Sequence, residues 1–312
     1  MEQQVRKVVI TGAAGLVGQN LVHRLLQRGI DIVAIDKNEH NAAILAQQHP
    51  QVEVVVADLA ESGPWQERFA GCEALISCHA QIGGLEAEEF IRNNIDASRL
   101  VIEAARANGI GYLVNISSSV VNSQAIDNYT ETKKAQEALV LASGIEQVVL
   151  RPTLMFGWFD RKHLGWLARF MQRSPVFPVP GSGRYLRQPL YVGDFCDIII
   201  AALDRRVTGS YNISGQEKID YIDLVRAVKR AVRSRTRIVR IPYRAFWLLL
   251  KTYALFSSNP PFTAKQLEAL ATPDVFEVID WPGIFGVRAT PLAEALEETF
   301  QHPVYSSVTL RF

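Results

Sequence analysis

Cysteine is scarce in this chain of 312 residues, which holds only Cys72, Cys78 and Cys196. Three cysteines without metal-like spacing make neither a disulfide framework nor a thiolate metal centre. We therefore expect no metal and a reducing, cytoplasmic setting. An excess of one charge is missing too: 33 lysines and arginines face 32 aspartates and glutamates. No global field invites nucleic acid or an anionic surface, so no nucleic-acid partner is expected. Long hydrophobic runs are absent. The first apolar run is broken at Gly12, too early for a signal peptide, and no stretch is long enough to be transmembrane. What the chain does have is 48% apolar residues, enough for a full core without staples.

Those apolar residues alternate between two periods. VRKVVITG (5–12), IDIVAID (30–36), VEVVVADL (52–59), CEALISC (72–78), YLVNIS (112–117) and QVVLRP (147–152) read as strands. Helical spacing fills most intervals, as in 16–28 and 88–109. Unbroken apolar strands separated by helices predict a parallel sheet covered on both faces, a doubly wound, Rossmann-like α/β domain. We place it over 1–155. A smaller lobe follows over 156–312 and interleaves with the first domain around 183–215. In the lobe, 177–184 reads as a loop, 208–215 and 236–242 as strands, and 220–234 and 291–300 as helices.

The first turn, TGAAGLVG (11–18), spaces Gly12, Gly15 and Gly18 three apart, with Leu16 and Val17 opening a helix. Such a turn lets backbone approach a pyrophosphate and aims a helix N-terminus at it. The next strand ends in Asp36, whose carboxylate can accept hydrogen bonds from both hydroxyls of an adenosine ribose and would repel a 2′-phosphate. NAD is therefore expected over NADP, with Lys37 softening the repulsion. Asp58 and Leu59, after the third strand, stand beside the expected adenine position.

Residues 116–134, ISSSVVNSQAIDNYTETKK, set hydroxyls after a strand and a phenol one helical turn before an ammonium. Tyr129 and Lys133 share a helix face, whereas Lys134 turns to solvent. A nearby cation favours the phenolate, which makes Tyr129 a proton acceptor for alcohol oxidation and, protonated, a donor for carbonyl reduction. One of the three serines would align the substrate oxygen.

These motifs together resemble the extended short-chain dehydrogenase/reductase family, the NAD-dependent epimerase/dehydratase group. The likeness runs motif by motif over about 5–215. By that resemblance ISCHAQ places Cys78, His79 and Ala80 along the cofactor, Asn94 braces the site, and Pro152 borders the nicotinamide. It also implies that Lys133 holds the nicotinamide ribose and, by register with the family's strand, that Ser118 is the first choice to align the substrate oxygen and Ser119 the second, with Ser117 turned toward the sheet or cofactor. GRYLRQPLYVGDF (183–195) puts Arg187 where sugar-nucleotide epimerases hold a pyrophosphate, and Asp194 at a second key position. A homodimer is expected from the resemblance. Family dehydratases carry proton-moving carboxylates after the catalytic hydroxyl. Ser119, Val120 and Val121 stand there instead, which argues against dehydration.

An NAD-dependent epimerase or dehydrogenase acting on a secondary alcohol remains, with a small-molecule, nucleotide-sugar or sugar-like substrate as the leading reading. Trp158, Phe159 and the apolar cluster within 242–263 support an alternative: a dehydrogenase or reductase of a hydrophobic hydroxy or keto compound, hydroxysteroid or lipid-linked in kind. A non-catalytic NAD-holding scaffold is the third reading, and the intact Ser/Tyr/Lys set opposes it. We read 242–263 as a helix packed on the lobe or on a partner subunit. Membrane-surface contact by 244–258 is the lesser alternative. Family members acting on sterols or lipid-linked compounds carry a helical insert there, by resemblance.

Overall fold

The computed structural model describes residues 5–124, 126–256 and 276–311. The β-branched runs form β1 (Lys7–Thr11), β2 (Asp31–Asp36), β3 (Glu53–Val56), β4 (Ala74–Ser77), β5 (Tyr112–Ile116) and β6 (Glu146–Pro152). With a later strand, Gly209–Ile213, they make a seven-stranded sheet in the order β3-β2-β1-β4-β5-β6-(209–213). Every pairing in it is parallel. The order reverses between β1 and β4, opening a crevice above their carboxyl ends.

Each sheet face carries its own core. On one, Val8 and Ile10 of β1 pack with Leu21 and Val22 of α1 (Leu16–Gln27), and with Ile198 and Ile199 of the helix Val192–Arg205. On the other, Val9, Leu75 and Leu113 meet Val101 and Ile102 of the helix Ala97–Ala107, together with Trp65 and Phe69. Residues 192–213 thus return from the lobe region to the first layer. The doubly wound fold follows from strands apolar on both faces, as expected.

The lobe has a separate core. Leu164, Leu167 and Met171 pack with Leu224, Val225 and Val228, and with Leu296 of the helix Leu292–Gln301. Here the structure corrects one expectation. Residues Val176–Pro180, inside what reads as a loop, form a strand parallel to Arg237–Ile241. Its prolines disguised it. Gly181 N donates to Ile241 O, so by the two-residue period Val179 and Phe177 donate while Pro178 and Pro180 fall on non-donating positions. The apolar segment after it is helical over Tyr243–Phe256, and 257–263 lies outside the described residues. Among the described residues no helix is long and apolar enough to cross a membrane.

A second correction concerns Trp158, expected on the substrate side. Its ring is buried against His302 (4.7 Å between centroids), Tyr305 (4.6 Å) and His23 of α1 (5.4 Å). The Arg24 guanidinium lies 5.0 Å from its centroid, and its indole N–H donates to Glu298 O at 3.0 Å. Phe159, Tyr305 and Leu310 complete the cluster, which seats the C-terminal segment on the first domain. Trp158 packs the tail instead of facing the crevice. Trp158→Ala is expected to cost about 3–5 kcal/mol of stability while leaving the substrate KM unchanged. A raised KM with an unaltered melting temperature would return the ring to the substrate side.

Candidate active site

The first turn is built for backbone approach. Gly12 has φ +69°, and a Cβ there would lie 2.6 Å from His79 N. A Cβ on Gly18 would lie 2.4 Å from Ala13 O, so α1 could not sit against its own entry turn. Gly15 caps α1 without a side chain, which leaves the first-turn amides directed at the crevice. Asp36 closes the turn from β2: Oδ2 accepts from Ala14 N and Oδ1 from Asn38 N, both at 2.9 Å. Burial raises its pKa against the pull of those amides. Lys37 points elsewhere, donating to Asn93 Oδ1 at 2.8 Å. At Asp58 partial burial acts upward, but the Arg92 guanidinium at 2.6 Å outweighs it and holds the carboxyl below its usual range. Leu59 and Val17 are buried core residues, and Leu16 packs against the same core as Val17. The glycine cradle, amide-rich turn and anchored carboxylate fit a dinucleotide.

The phenol and its neighbours come from β5 and the helix Asn128–Leu141, which we number α5. Asp127 caps that helix, accepting from Thr130 N at 2.9 Å. Ser117 Oγ turns away to donate to Glu137 Oε2 at 2.6 Å, and Glu137 also pairs with Arg151. Ser118 sits beside the Tyr129 phenol and hydrogen-bonds it. Ser119 starts the short 3₁₀ turn that follows. The register thus brings Ser118, not Ser117, to the phenol. Lys134 lies toward solvent, paired with Glu131 at 3.0 Å.

Burial is the largest influence on Tyr129 and holds its phenol above the ordinary value, while the Ser118 hydroxyl works the other way. Lys133 is fully buried. Its Nζ donates to Ile116 O at 3.1 Å and to Gln136 Oε1. Burial lowers its pKa to about 8, against the opposing pull of Glu137. At the phenol itself burial is the larger influence and Ser118 the opposing one, while the help expected from the ammonium is paired with that of a positively charged nicotinamide.

Sequence reasoning missed what lies behind Lys133. Gln136 Nε2 donates to Ser98 Oγ at 2.8 Å, and Ser98 Oγ lies 3.0 Å from His79 Nε2. His79 Nδ1 lies 2.8 Å from Thr11 Oγ1 on β1. Burial, then Lys133, pushes His79 down to about 3, so it is neutral. Lys133, Gln136, Ser98, His79 and Thr11 thus form one continuous buried chain of polar contacts. Asn94, on a π-helical turn (Ile91–Asp96), accepts from Gln81 N at 2.7 Å and donates to Thr132 Oγ1 at 3.0 Å, pinning α5 between Tyr129 and Lys133. The one signal available was Gln136 itself, three residues past Lys133 on the same face.

Other expected residues are placed as follows. Cys78 donates its amide to Thr11 O at 2.9 Å, Ala80 follows His79 on that loop, and Pro152 ends β6. Arg187 stands in the lobe on a two-residue strand, with Nη1 donating to Leu186 O at 2.7 Å. Its charge bears on the Tyr185 and Tyr221 phenols. Asp194 accepts from Thr290 N at 3.0 Å, tying the segment before the lobe helix Leu292–Gln301 to the helix Val192–Arg205.

The chain resembles known proteins in sequence and in fold. Residues 8–214 match the model of the NAD dependent epimerase/dehydratase family. The chain is 28% identical over 245 residues to the ceramide reductase of Caulobacter vibrioides, covering 75% of this chain and 73% of that one. It is 26% identical over 302 residues to the 3 beta-hydroxysteroid dehydrogenase/Delta 5-->4-isomerase of Mycobacterium tuberculosis, covering 86% and 80%. Its fold superposes on the UDP-glucuronic acid 4-epimerase of Bacillus cereus in complex with NAD with a TM-score of 0.73, at 18% identity, covering 95% and 96%.

Two outcomes follow from the buried chain. Gln136→Leu removes an acceptor from a buried ammonium, worth about 1.5–3 kcal/mol. We expect kcat to fall and the alkaline limb of the pH–rate profile to move to lower pH, while Gln136→Glu restores an acceptor and recovers both. An unmoved limb would make Gln136 a bystander. His79 is lowered to about 3 from an ordinary 6.5, so in that window the unfolded chain takes a proton that the folded one refuses. Stability therefore declines as pH falls through the window, by up to about 1.4 kcal/mol per pH unit from this group. His79→Gln should flatten that slope in urea unfolding, and an unchanged slope would show that the histidine is not held neutral.

Proposed function

The chain belongs to the NAD-dependent epimerase/dehydratase family, and on that premise we propose that it interconverts a secondary alcohol and its ketone on a predominantly apolar substrate. The observation that carries the chemistry is the Ser118–Tyr129 hydroxyl pair, set one helical turn from a buried ammonium above the sheet's crevice.

Gly12, Gly15 and the amides opening α1 would hold the pyrophosphate, and Asp36 the adenosine ribose. Bound NAD supplies the hydride acceptor for oxidation. Ser118 orients the substrate oxygen. Tyr129 takes the hydroxyl proton in oxidation and returns it in reduction. Two of the Lys133 ammonium protons are already directed at Ile116 and Gln136, which leaves the third for the nicotinamide ribose. Fixed groups of this kind act by orientation and by a proton donor of matched acidity.

The substrate reading rests on the mouth of the crevice. Loops leaving the carboxyl ends of β4, β5 and β6 expose Ile82, Leu85, Ile126 and Leu154, with Leu85 at 92% and Ile126 at 93%. Large apolar side chains around one rim mark a site for apolar partners. The names of the ceramide reductase and the hydroxysteroid dehydrogenase support the same class. Arg187 supports a second reading, epimerisation of a nucleotide sugar, because a guanidinium suits a diphosphate. The name of the UDP-glucuronic acid 4-epimerase is in line with it. A cytoplasmic homodimer belongs to the proposal on the family resemblance.

Tyr129→Phe is expected to lower kcat by about 10²–10⁴-fold with NAD binding retained, and full turnover would remove the phenol from the reaction. Asp36→Ala should weaken NAD far more than NADP in titrations, whereas equal losses would overturn the cofactor preference. A melting-temperature rise with a sterol or long-chain keto compound, and none with UDP-sugars, supports the apolar substrate. The reverse result, joined by a raised KM in Arg187→Ala, selects the nucleotide sugar.

A further inference from the structure

A buried carboxylate behind the relay has no part in the chemistry described above. Glu137 lies one helical turn beyond Lys133 on α5, and both are buried, at 6% and 1% exposure. Residues four apart on a helix share a face. The Lys133 hydrogen bonds go to Ile116 O and Gln136 Oε1, so the Glu137 charge reaches the ammonium through space. Glu137 itself is held from two other elements. Ser117 Oγ, just past the end of β5, donates to Oε2 at 2.6 Å, and Arg151 of β6 donates through Nε to both carboxylate oxygens at 3.1 Å. Burial acts upward on this carboxyl, but the Arg151 and Ser117 hydrogen bonds outweigh it and keep Glu137 ionised.

The surroundings add little further charge. Cys78 and His79 face the ammonium from the loop after β4, where burial keeps the thiol protonated and the imidazole unprotonated. The Tyr129 phenol, one turn earlier on α5 and raised by burial, keeps its proton too. From β1 and the helix Ala97–Ala107 come the uncharged hydroxyls of Thr11 and Ser98. The charges set against one another are Lys133, Glu137 and Arg151. The size of the effect on Lys133 points beyond a bracing ion pair. Lysines buried without a counter-charge can titrate as low as about 5–6. Lys133 falls only to about 8, and Glu137 is foremost among the influences opposing its burial.

We propose that Glu137 is the counter-charge that keeps Lys133 an ammonium, and that Arg151, by sharing the same carboxylate, limits how strongly it does so. Glu137 is then a positioning residue, acting through the lysine and not on the reacting atoms. Its bearing on turnover rests on the reading above, in which the third Lys133 proton serves the nicotinamide ribose.

NMR of the full chain carrying ¹³C-labelled lysine follows Lys133 directly, with its signal assigned by its loss in Lys133→Arg. The titration midpoint is expected near 8 in the unchanged chain. Glu137→Gln should lower it by about one pH unit or more, and Arg151→Gln should raise it. A pair that only braced α5 on β6 would lose the same bonds either way and leave the midpoint in place. Should either single variant not fold, the double variant Glu137→Gln, Arg151→Gln leaves neither charge unpaired, and its midpoint should still lie below that of the unchanged chain. An unmoved midpoint, or the same direction in both single variants, would overturn the proposal. NADH titration of the same variants separates the two readings, because the pH at which NADH affinity is lost should follow the NMR midpoint. Midpoints that move while NADH affinity does not would leave the counter-charge standing and remove Lys133 from the cofactor.

Discussion

A buried ammonium is the constraint on which the site depends. Lys133 is almost wholly buried, so its protons need acceptors inside the site. Two acceptors lie on different elements: the Ile116 carbonyl at the end of β5 and the Gln136 amide on α5. Gln136 is fixed in turn by Ser98, and Ser98 by His79 and Thr11. One charge therefore locks the relative positions of β1, the loop after β4, the helix Ala97–Ala107 and α5. These elements flank the point where the strand order reverses. The phenol rides one turn away on α5, so its placement inherits the rigidity of the network. The same desolvation that makes the network necessary raises the Tyr129 phenol, and a low-dielectric site strengthens whatever charge binds next to it.

How much of this was legible follows from how local each signal is. The glycine turn, Asp36 and the Tyr129/Lys133 pair are encoded within a few residues, and each has one geometric meaning once the strands are placed. The ranking of Ser118 over Ser117 rests on the family resemblance, through the register of the family's strand. The His79–Ser98–Gln136 chain was illegible because its members are 19 and 38 residues apart and none is unusual alone. The strand Val176–Pro180 was hidden because its partner lies about sixty residues on and its prolines resemble a loop. Trp158 misled because an aromatic after a strand end reads equally well as cleft or core. Only the arrival of Tyr305 and His302 from the far end of the chain decides between them.

That distant arrival reaches the cofactor side as well. Arg311 N donates to Asn41 Oδ1 at 2.8 Å, and Asn41 and Asn38 side chains donate back to Arg311 O. Asn38 also donates its amide to Asp36. The C-terminal segment thus supports, through two asparagines, the loop that follows Asp36. The Trp158 cluster has the same effect from the other end of the tail, since it presses the segment onto α1 beside His23 and Arg24. Tail packing and cofactor-side geometry are one mechanical unit.

Two surfaces of opposite character then fall on different parts of the molecule. The rim of the crevice exposes isolated aliphatic side chains from loops held by a rigid sheet. Residues 224–252 of the lobe concentrate nine lysines and arginines in sequence, four of them around one groove. Since the whole chain is nearly neutral, placing +9 on one stretch leaves the rest at −8.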